Sequence, residues 1–384
     1  LKVACLKHLA VLGSTGSIGR QTLEIVRRYP SEFKIISMAS YGNNLRLFFQ
    51  QLEEFAPLAA AVYNEEVYNE ACQRFPHMQF FLGQEGLTQL CIMDTVTTVV
   101  AASSGIEALP AILESMKKGK ALALANKEIL VCAGELVSKT AKENGIKVLP
   151  IDSEHNALYQ CLEGRTIEGI KKLILTASGG PLLNKSLEEL SCVTKQDVLN
   201  HPIWNMGSKV TVDSSTLVNK GLEIIEAYWL FGLENVEILA VIHPQSLIHG
   251  MVEFLDGSVI SIMNPPDMLF PIQYALTAPE RFASPRDGMD FSKKQTLEFF
   301  PVDEERFPSI RLAQQVLEKQ GSSGSFFNAA NEVLVRRFLC EEISWCDILR
   351  KLTTLMECHK VYACHSLEDI LEVDGEARAL AQEI

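Results

Sequence analysis

The first 150 residues alternate short apolar runs with helical patterns, and this alternation constrains the fold more than any other feature of the sequence. The expected strands are His8–Leu12, Phe33–Ala39, Thr97–Ala102, Ala121–Ala125 and Ile146–Ile151. Strands that alternate with helices predict a doubly wound parallel sheet with helices on both faces. Ligands bind such sheets at the carboxyl ends of the strands. Gly13, Asn126 and Asp152 each follow an expected strand, so we expect them to lie near a ligand.

The rest of the chain shows three further kinds of pattern. From Asp152 to about Ala278, β-rich runs mix with a helical pattern over Ser214–Phe231, which predicts an α+β domain with an open sheet. Residues 279–309 contain four prolines and little periodicity, and we interpret them as a linker. The sequence from Ile310 has helical periodicity and predicts a helical bundle. The expected domains are therefore 1–150, 151–278 and 310–384, with the linker at 279–309.

The composition is that of a folded globular protein, with 47% apolar and 22% charged residues. A net charge of −13 argues against binding to nucleic acid or to an anionic membrane. The ten cysteines are scattered singly, which predicts neither a zinc site nor disulfides and is typical of a cytoplasmic protein. No apolar run approaches the roughly 18 residues of a membrane helix. The chain begins with Leu1 rather than Met, so a removed leader, such as a plastid leader, stays open as an alternative.

A glycine-rich segment follows the first expected strand and precedes a helical pattern. It reads Gly13-Ser14-Thr15-Gly16-Ser17-Ile18-Gly19. Glycines let the backbone approach a pyrophosphate, which then accepts hydrogen bonds from the amides at the helix N-terminus. The segment predicts a dinucleotide site in a Rossmann-like domain, and a purely structural turn is the alternative.

The segment after the second expected strand bears on the choice of cofactor. NAD-preferring sites usually place a carboxylate there to bind the ribose hydroxyls. Here the sequence reads Ala39-Ser40-Tyr41-Gly42-Asn43-Asn44, without an acid and with Arg46 close by. A carboxylate would repel a 2′-phosphate, so its absence favours NADP.

Two acids, Asp152 and Glu154, follow the last expected strand of the first domain. In extended backbone, residues two apart share one face, and converging carboxylates need a cation or a proton between them. Oxygen ligands suit Mg²⁺ or Mn²⁺ rather than zinc. The pattern predicts a metal site, and a solvated acidic turn is the alternative.

The helix expected over 214–231 carries a polar stripe beside its apolar one. Asn219, Lys220 and Glu223 lie about one turn from the expected helix start, where Ser214, Ser215 and free backbone amides would bind an anion. A phosphate site beside a metal-binding acid would suit a phosphorylated substrate. A solvated helix face is the alternative.

The loop His201–Gly207 precedes that helix and contains Trp204, Asn205 and Met206. A loop that combines His, Trp and Met near a polar site is typical of a lid that excludes water from a reaction. A tryptophan packed in the core with a neighbouring histidine is the alternative, and composition alone does not decide between them.

Eight segments occur together and in one order over nearly the whole chain. They are Gly13–Gly19, Asn126–Glu128, Asp152–Asn156, Ser178–Pro181, His201–Gly207, Asn219–Glu223, His243–Ser246 and Asn328–Glu332. In this combination the chain resembles the 1-deoxy-D-xylulose 5-phosphate reductoisomerases of the non-mevalonate isoprenoid pathway. The resemblance implies an NADPH-binding N-terminal domain, a central catalytic domain that also forms a homodimer, and a C-terminal helical bundle.

The resemblance also implies roles for individual residues. The metal ligands for Mg²⁺ or Mn²⁺ would be Asp152, Glu154 and Glu223. The cofactor-binding residues would be Thr15, Gly16, Ser17, Ile18, Tyr41, Gly42, Asn43, Asn126, Glu128 and Gly207. The substrate phosphate would be bound by Ser178, Ser214, Asn219 and Lys220. The remaining substrate contacts would be Lys127, Ser153, His201 and two of the metal ligands, Glu154 and Glu223. The catalytic residues would be Lys127, Glu154 and His201, with the general acid and base unassigned.

The reaction implied by the resemblance rearranges and then reduces a five-carbon ketose phosphate. A carbon–carbon bond is cleaved and re-formed while a metal ion polarises the substrate oxygens, and NADPH then delivers hydride to give 2-C-methyl-D-erythritol 4-phosphate. One departure from the family pattern concerns the cofactor. Many members have Gly-Lys-Asn where this chain has Tyr41-Gly42-Asn43, so recognition of the 2′-phosphate is expected to be weaker.

Two other classes of function compete with this interpretation. A different NADP-linked oxidoreductase, such as a semialdehyde or homoserine dehydrogenase, would lack the three-carboxylate metal site and would keep its activity in the presence of a chelator. A catalytically silent nucleotide-binding protein or scaffold would bind NADPH without turnover. Consumption of NADPH with the ketose phosphate, with and without Mg²⁺, discriminates among the three.

Overall fold

The computed structural model describes residues 6–204, 206–232 and 236–384 in two compact units. The first unit comprises Leu1–Ile129, as far as it is described, together with Val137–Asn156 and Asp267–Asp287. The second unit comprises Leu130–Leu136, Ala157–Pro266 and Gly288–Ile384, again as far as described. Among the described residues, no helix is both long enough and apolar enough to cross a membrane. The domain boundaries predicted from the sequence stay a prediction.

The described residues of the first unit form a parallel sheet of seven strands. The strands are β1 (Lys7–Leu12), β2 (Phe33–Ser40), β3 (Ala59–Val62), β4 (Gln79–Leu82), β5 (Thr98–Ala101), β6 (Ala121–Leu124) and β7 (Val148–Pro150). Their order across the sheet is β4-β3-β2-β1-β5-β6-β7, and every ladder between neighbours is parallel. The predicted doubly wound parallel sheet is confirmed, although β3 and β4 were not among the expected strands.

Helices connect these strands in the order that a doubly wound sheet requires. They are α1 (Ser17–Arg28), α2 (Leu45–Phe55), α3 (Glu65–Arg74), α4 (Gly83–Ile92), α5 (Leu109–Lys117) and α6 (Lys127–Asn144), followed by α7 (Ser153–Leu162) after the last strand and later by α12 (Leu269–Thr277). Residues Leu9, Ala10 and Val11 of the central strand β1 are fully buried, as expected of a strand covered on both faces. The chain runs from β1 outward in both directions, so β1 and β5 flank the point where ligands bind.

The turn after β1 requires glycine. Gly13 has φ +82°, and a Cβ there would lie 2.7 Å from the carbonyl oxygen of Ala102. A Cβ on Gly19 would lie 2.2 Å from the carbonyl oxygen of Gly13. The backbone is therefore packed closely at the carboxyl ends of β1 and β5, where only a hydrogen fits.

The second unit contains a mixed sheet of five strands and the C-terminal helices. The strands are β8 (Ile170–Ala177), β9 (Glu237–Ile242), β10 (Ile248–Phe254), β11 (Val259–Met263) and β12 (Phe300–Pro301), in the order β11-β10-β8-β9-β12. The described helices are α8 (Leu187–Leu190), α9 (Lys195–Leu199), α10 (Ser208–Ser215), α11 (Val218–Phe231), α13 (Ser309–Lys319), α14 (Ser323–Leu339), α15 (Trp345–Cys358) and α16 (Leu367–Glu383), with a 3₁₀ turn at Ile167–Gly169. The predicted α+β region and C-terminal helices are confirmed.

The single helix predicted over 214–231 is wrong, because the chain breaks between α10 and α11 at Leu217, which has φ +55°. Hydroxyl groups compete with the helical hydrogen bonds there: Ser215 Oγ donates to the carbonyl oxygen of Val212 at 2.6 Å, and Thr216 Oγ1 donates to that of Asp213 at 3.1 Å. Ser214 and Ser215 therefore end a helix rather than begin one. The predicted helix start near Ser214 is therefore wrong, since the next helix, α11, begins only at Val218.

Three C-terminal helices each send one side chain to this break, residues 213–217, which we call the α10–α11 turn. The bonds are Asn331 Nδ2 to Asp213 Oδ1, Trp345 Nε1 to Ser215 Oγ and Ser309 Oγ to the carbonyl oxygen of Thr216, each of 2.8 Å. All three acceptors are buried, so each bond satisfies a group that would otherwise be costly to bury. The C-terminal helices thus fix the conformation of the α10–α11 turn.

Candidate active site

The carboxyl edge of the first sheet brings together the predicted cofactor residues of the first unit. Gly13, Asn126 and Asp152 follow β1, β6 and β7, as predicted. Gly16 is the N-cap residue of α1 and supplies no side chain to cap its amides. Thr15 Oγ1 lies 2.9 Å from Ser40 Oγ and joins the glycine turn to the end of β2. The helix start is therefore open to an anion, as a pyrophosphate site requires.

A buried glutamine stabilises the glycine turn, and the sequence did not single it out. Gln51 of α2 accepts a hydrogen bond from Ser14 Oγ at 2.8 Å and donates to the carbonyl oxygen of Ser14 at 2.9 Å. Both side chains are buried. The only signal in the sequence is a polar residue between Phe48 and Leu52 on the apolar face of α2.

The segment after β2 is open to solvent. Tyr41 and Asn43 are exposed, and Gly42 has φ +109°. Asn44 caps α2 by accepting a hydrogen bond from the amide of Leu47 at 3.2 Å. This segment carries no carboxylate, so nothing in it would repel a 2′-phosphate.

Two buried polar atoms after β5 and β6 have no hydrogen-bond partner among the described residues. They are Asn126 Oδ1 and Ser103 Oγ. The amide nitrogen of Asn126 does have a partner, the carbonyl oxygen of Gly105 at 2.6 Å. Buried polar atoms are rarely left unsatisfied, and this edge of the sheet is where a dinucleotide would supply partners.

The acids after β7 lie at the start of α7. Asp152 directly precedes the helix and Glu154 is in its first turn, so the expected extended backbone is wrong here. Asp152 Oδ1 accepts the amide of Ser153 at 2.9 Å, and Ser153 Oγ donates to the carboxylate of Glu154. A helix N-terminus stabilises negative charge, which explains how two adjacent acids can both be placed there.

Asp152 lies close to two side chains that can carry a positive charge. Its Oδ2 lies 2.6 Å from Lys127 Nζ and 3.7 Å from His155 Nδ1. Burial by itself raises the pKa of Asp152, but Lys127 and then His155 outweigh it and hold that pKa below its usual range. Only 13% of the Asp152 side chain is exposed, so the alternative of a solvated acidic turn is wrong.

In the second unit, His201 contacts Ser178, one of the predicted phosphate-binding residues. His201 Nδ1 accepts the amides of Ile203 and Trp204 at 3.2 and 2.9 Å, so Nδ1 carries no hydrogen. The hydrogen is then on Nε2, which donates to Ser178 Oγ at 3.1 Å. Burial lowers the pKa of His201 from its ordinary value of 6.5, which favours this neutral form.

The turn that carries Ser178 packs against the α10–α11 turn. Gly180 has φ +71°, and a Cβ there would lie 2.7 Å from the carbonyl oxygen of Ser214. The amide of Gly180 also donates to Ser178 Oγ at 3.2 Å. The structure therefore brings together the two segments that contain Ser178 and Ser214, although they are distant in sequence.

The first turn of α11 holds a buried charge pair. Asn219 Nδ2 and Lys220 Nζ both donate to the carboxylate of Glu223. Lys220 is 3% and Glu223 1% exposed, so the alternative of a solvated helix face is wrong. A buried ion pair is tolerated when further hydrogen bonds satisfy it, and Asn219 supplies one.

The predicted lid contains both half-buried and exposed residues. Trp204 is half-buried, with its ring centroid 6.1 Å from that of His249. Gly207 is exposed and is the N-cap residue of α10. Asn205 lies outside the described residues. The function of His201–Gly207 as a lid stays a prediction.

Three models that describe domains of a single enzyme family together match most of the chain. The model of 1-deoxy-D-xylulose 5-phosphate reductoisomerase matches residues 9–134, and that of its C-terminal domain matches residues 148–231. A further model, DXP reductoisomerase C-terminal domain, matches residues 263–380. The three matches follow one another without overlap and in the order of the chain.

Relatives of known identity are similar over their full length. The 1-deoxy-D-xylulose 5-phosphate reductoisomerase of Chlamydia caviae is 68% identical over 379 residues, which cover 99% of this chain and 100% of the relative. That of Chlamydia trachomatis serovar D is 61% identical and covers 98% of this chain and 100% of the relative.

Solved structures of the same enzyme superpose closely. A crystal structure of DOX-P reductoisomerase in complex with NADPH, fosmidomycin and magnesium has a TM-score of 0.93 at 37% identity, over 98% of each chain. The enzyme of Zymomonas mobilis in complex with NADPH has a TM-score of 0.92 at 35% identity, over 99% of each chain. The chain therefore belongs to the 1-deoxy-D-xylulose 5-phosphate reductoisomerase family.

Proposed function

We propose that this chain converts 1-deoxy-D-xylulose 5-phosphate to 2-C-methyl-D-erythritol 4-phosphate with NADPH and a divalent metal ion, as a step of isoprenoid synthesis. The observation that carries the proposal is the largely buried Asp152 paired with Lys127 at the same sheet edge as the glycine turn. A relative similar over almost its whole length has been crystallised with NADPH and magnesium.

Asp152, Glu154 and Glu223 would hold the Mg²⁺ or Mn²⁺ ion. Their donor atoms are all carboxylate oxygens, which are the ligands that hard divalent cations prefer. In the structure, Lys127 neutralises Asp152 and Lys220 neutralises Glu223. A bound cation would act as a Lewis acid on the substrate oxygens, and Lys127 would then be available to contact the substrate.

The second unit would bind the substrate phosphate. The phosphate would be contacted by Ser178, Ser214, Asn219 and Lys220. His201 would orient Ser178 through the 3.1 Å hydrogen bond between their side chains. Support comes from the packing of the Ser178 turn against Ser214 and from the position of Asn219 and Lys220 in the first turn of α11. Amides at a helix N-terminus and a lysine together suit a dianion. Ser153 would complete the substrate contacts from the start of α7.

The first unit would bind NADPH at the carboxyl edge of its sheet. The residues proposed for this are Thr15, Gly16, Ser17, Ile18, Tyr41, Gly42, Asn43, Asn126 and Glu128. Gly207 keeps the cofactor role that the family resemblance implies. The uncapped start of α1 and the unsatisfied Oδ1 of Asn126 support the assignment. The segment after β2 has no acid, which supports a preference for NADPH over NADH.

We also propose that the enzyme is a cytoplasmic homodimer. Membership of the family supports the dimer, and the singly scattered cysteines suit a reducing compartment. Family membership also rules out a semialdehyde or homoserine dehydrogenase as the function of the chain.

The decisive experiment follows NADPH oxidation with 1-deoxy-D-xylulose 5-phosphate, with Mg²⁺ and after removal of the metal by a chelator. We expect turnover that stops with the chelator and returns when Mg²⁺ is added in excess. NADPH binding without any turnover would instead support a silent binding protein. Turnover that continues after chelation would contradict the proposed metal site.

A further inference from the structure

Two tyrosine rings pack against each other where β2 and β3 end. Tyr41 directly follows β2 and Tyr63 directly follows β3. The last residues of the two strands, Ser40 and Val62, are partners in the parallel ladder. Residues one step beyond a paired position point to the same side of the sheet, and the two ring centroids are indeed 5.0 Å apart, with their planes inclined by 30°.

The pair presents an aromatic surface that is open on one side. Tyr41 is 66% exposed, while Tyr63 is half-buried and supports it. A Cβ on the adjacent Gly42 would meet no atom within 4 Å outside its two chain neighbours, so the backbone next to Tyr41 is open. Burial, followed by the nearby charge of Glu107 and by Tyr41, raises the pKa of Tyr63 to about 12, so its ring stays neutral.

The position of the pair identifies the ligand group that would meet it. In doubly wound dinucleotide-binding sheets, the residue after the second strand lies beside the ribose of the adenosine half. Tyr41 occupies that position, and Tyr63 lies one strand further from the sheet centre. A flat purine attached to that ribose would therefore lie beside the two rings.

We infer that Tyr41 and Tyr63 form an aromatic platform for the adenine ring of NADPH, which makes Tyr63 an additional determinant of cofactor binding. The inference rests on the NADPH site proposed above. Stacking involves only the base, so its contribution to binding is the same with and without the 2′-phosphate. The platform should therefore strengthen every adenine nucleotide by the same factor.

Calorimetric titration of the full-length protein with 5′-AMP and with 2′,5′-ADP tests the platform. If the base stacks on the aromatic pair, Tyr63→Leu should lower the affinity for both nucleotides by the same factor, about tenfold. The same substitution should raise the KM for NADPH and leave kcat unchanged. Tyr63→Phe keeps the ring and should bind both nucleotides as the original protein does. Tyr68→Leu, in α3 of the same unit, is the matched control and should change neither affinity.

The platform would be overturned if Tyr63→Leu bound each nucleotide as tightly as the original protein does. A loss in Tyr63→Phe as large as in Tyr63→Leu would also overturn it, since the hydroxyl rather than the ring would then bind the nucleotide. If Tyr63→Leu does not fold, the same titration is made with Tyr41→Ala, a substitution at an exposed position. Unchanged affinity of Tyr41→Ala for both nucleotides would then overturn the platform. If Tyr63→Leu weakens both nucleotides as expected but the original protein never oxidises NADPH with the ketose phosphate, the proposed function fails while the platform stands.

Discussion

At the scale of single residues, the site depends on side chains whose hydrogen bonds allow only one protonation state. His201 accepts two backbone amides at Nδ1 and can donate only from Nε2, to Ser178. A second proton on the ring would face the amide hydrogens of Ile203 and Trp204. The arrangement therefore holds Ser178 only while His201 is neutral.

Acid should destabilise the protein through His201. Its pKa in the folded state lies below 6.5, so the unfolded chain binds the proton more readily. The contribution of His201 to stability is complete above that value and is lost as the pH falls toward the folded pKa. Urea unfolding at about pH 7.5 and about pH 5.5 should show a larger loss for the original protein than for His201→Gln. Equal losses would show that another group is responsible.

Glu223→Gln should abolish turnover and spare cofactor binding. The substitution keeps the shape of the side chain but removes one of three anionic ligands, so we expect kcat to fall roughly 100-fold or more. NADPH affinity should stay nearly unchanged, because Glu223 belongs to the second unit. Turnover at increasing Mg²⁺, together with NADPH titration, measures both effects.

The matched control is Glu237→Gln, which changes an exposed acid paired with Lys172. Near-normal turnover of Glu223→Gln would remove Glu223 from the proposed metal site.

Residue types predicted many of the candidate site residues, whereas the hydrogen bonds that hold those residues in place could not be predicted. Asp152, Lys220 and Glu223 are recognisable because charged residues in apolar surroundings indicate chemistry. Gln51 is different, because one glutamine in a helix gives no sign that it will reach the backbone of Ser14. Such contacts depend on how two distant segments pack, which residue types alone do not specify.

At the scale of elements, the most informative feature is the α10–α11 turn. The apolar positions Val218, Leu222 and Ile225 are spaced as in one helix, and the same spacing gave no sign of a break before Val218. The signal was the run of Asp, Ser and Thr at 213–216, whose side chains bond their own backbone. Periodicity locates the buried face of a helix but does not locate its start.

Trp345→Phe should weaken the α10–α11 turn while keeping an aromatic ring at this position. The phenyl ring is smaller than the indole and offers no N–H donor to Ser215, so we expect the free energy of unfolding to fall by at least about 1 kcal/mol. The KM for 1-deoxy-D-xylulose 5-phosphate should rise more than the KM for NADPH, because Ser214 lies in this turn. Urea unfolding and steady-state kinetics supply the two measurements.

A double-mutant cycle with Ser215→Ala isolates that bond. If the bond is the cause, Trp345→Phe should cost less in the Ser215→Ala background than in the original protein. Additive losses would show that the ring, and not the indole N–H, stabilises the turn.

At the scale of the whole molecule, each of the two units contains some of the residues with proposed roles. Asp152 and Glu154 belong to the first unit, whereas Ser178, Lys220 and Glu223 belong to the second. The alternation of strands and helices predicted the first unit, and helical periodicity predicted the C-terminal helices. The contacts of those helices with the α10–α11 turn could not be predicted, because they join segments far apart in sequence.

A molecule that carries a phosphonate joined by a short linker to a hydroxamate should stabilise the protein only when a divalent metal is present. The phosphonate would take the place of the substrate phosphate, and the hydroxamate would offer two oxygens to the metal. At a hundred times the dissociation constant, the gain is about 2.7 kcal/mol. Thermal unfolding with the molecule, with and without Mg²⁺, measures the gain. Full stabilisation after metal removal would show that the hydroxamate binds elsewhere.

The hydrogen bonds from α13, α14 and α15 to the α10–α11 turn also determine when this turn can be stabilised during synthesis of the chain. Ser309, Asn331 and Trp345 leave the ribosome long after Asp213, Ser215 and Thr216, which they stabilise. The glycine turn after β1 is complete much earlier. A nascent chain therefore completes the glycine turn well before the α10–α11 turn can be stabilised, and the second unit reaches its final structure only when its last helices are made.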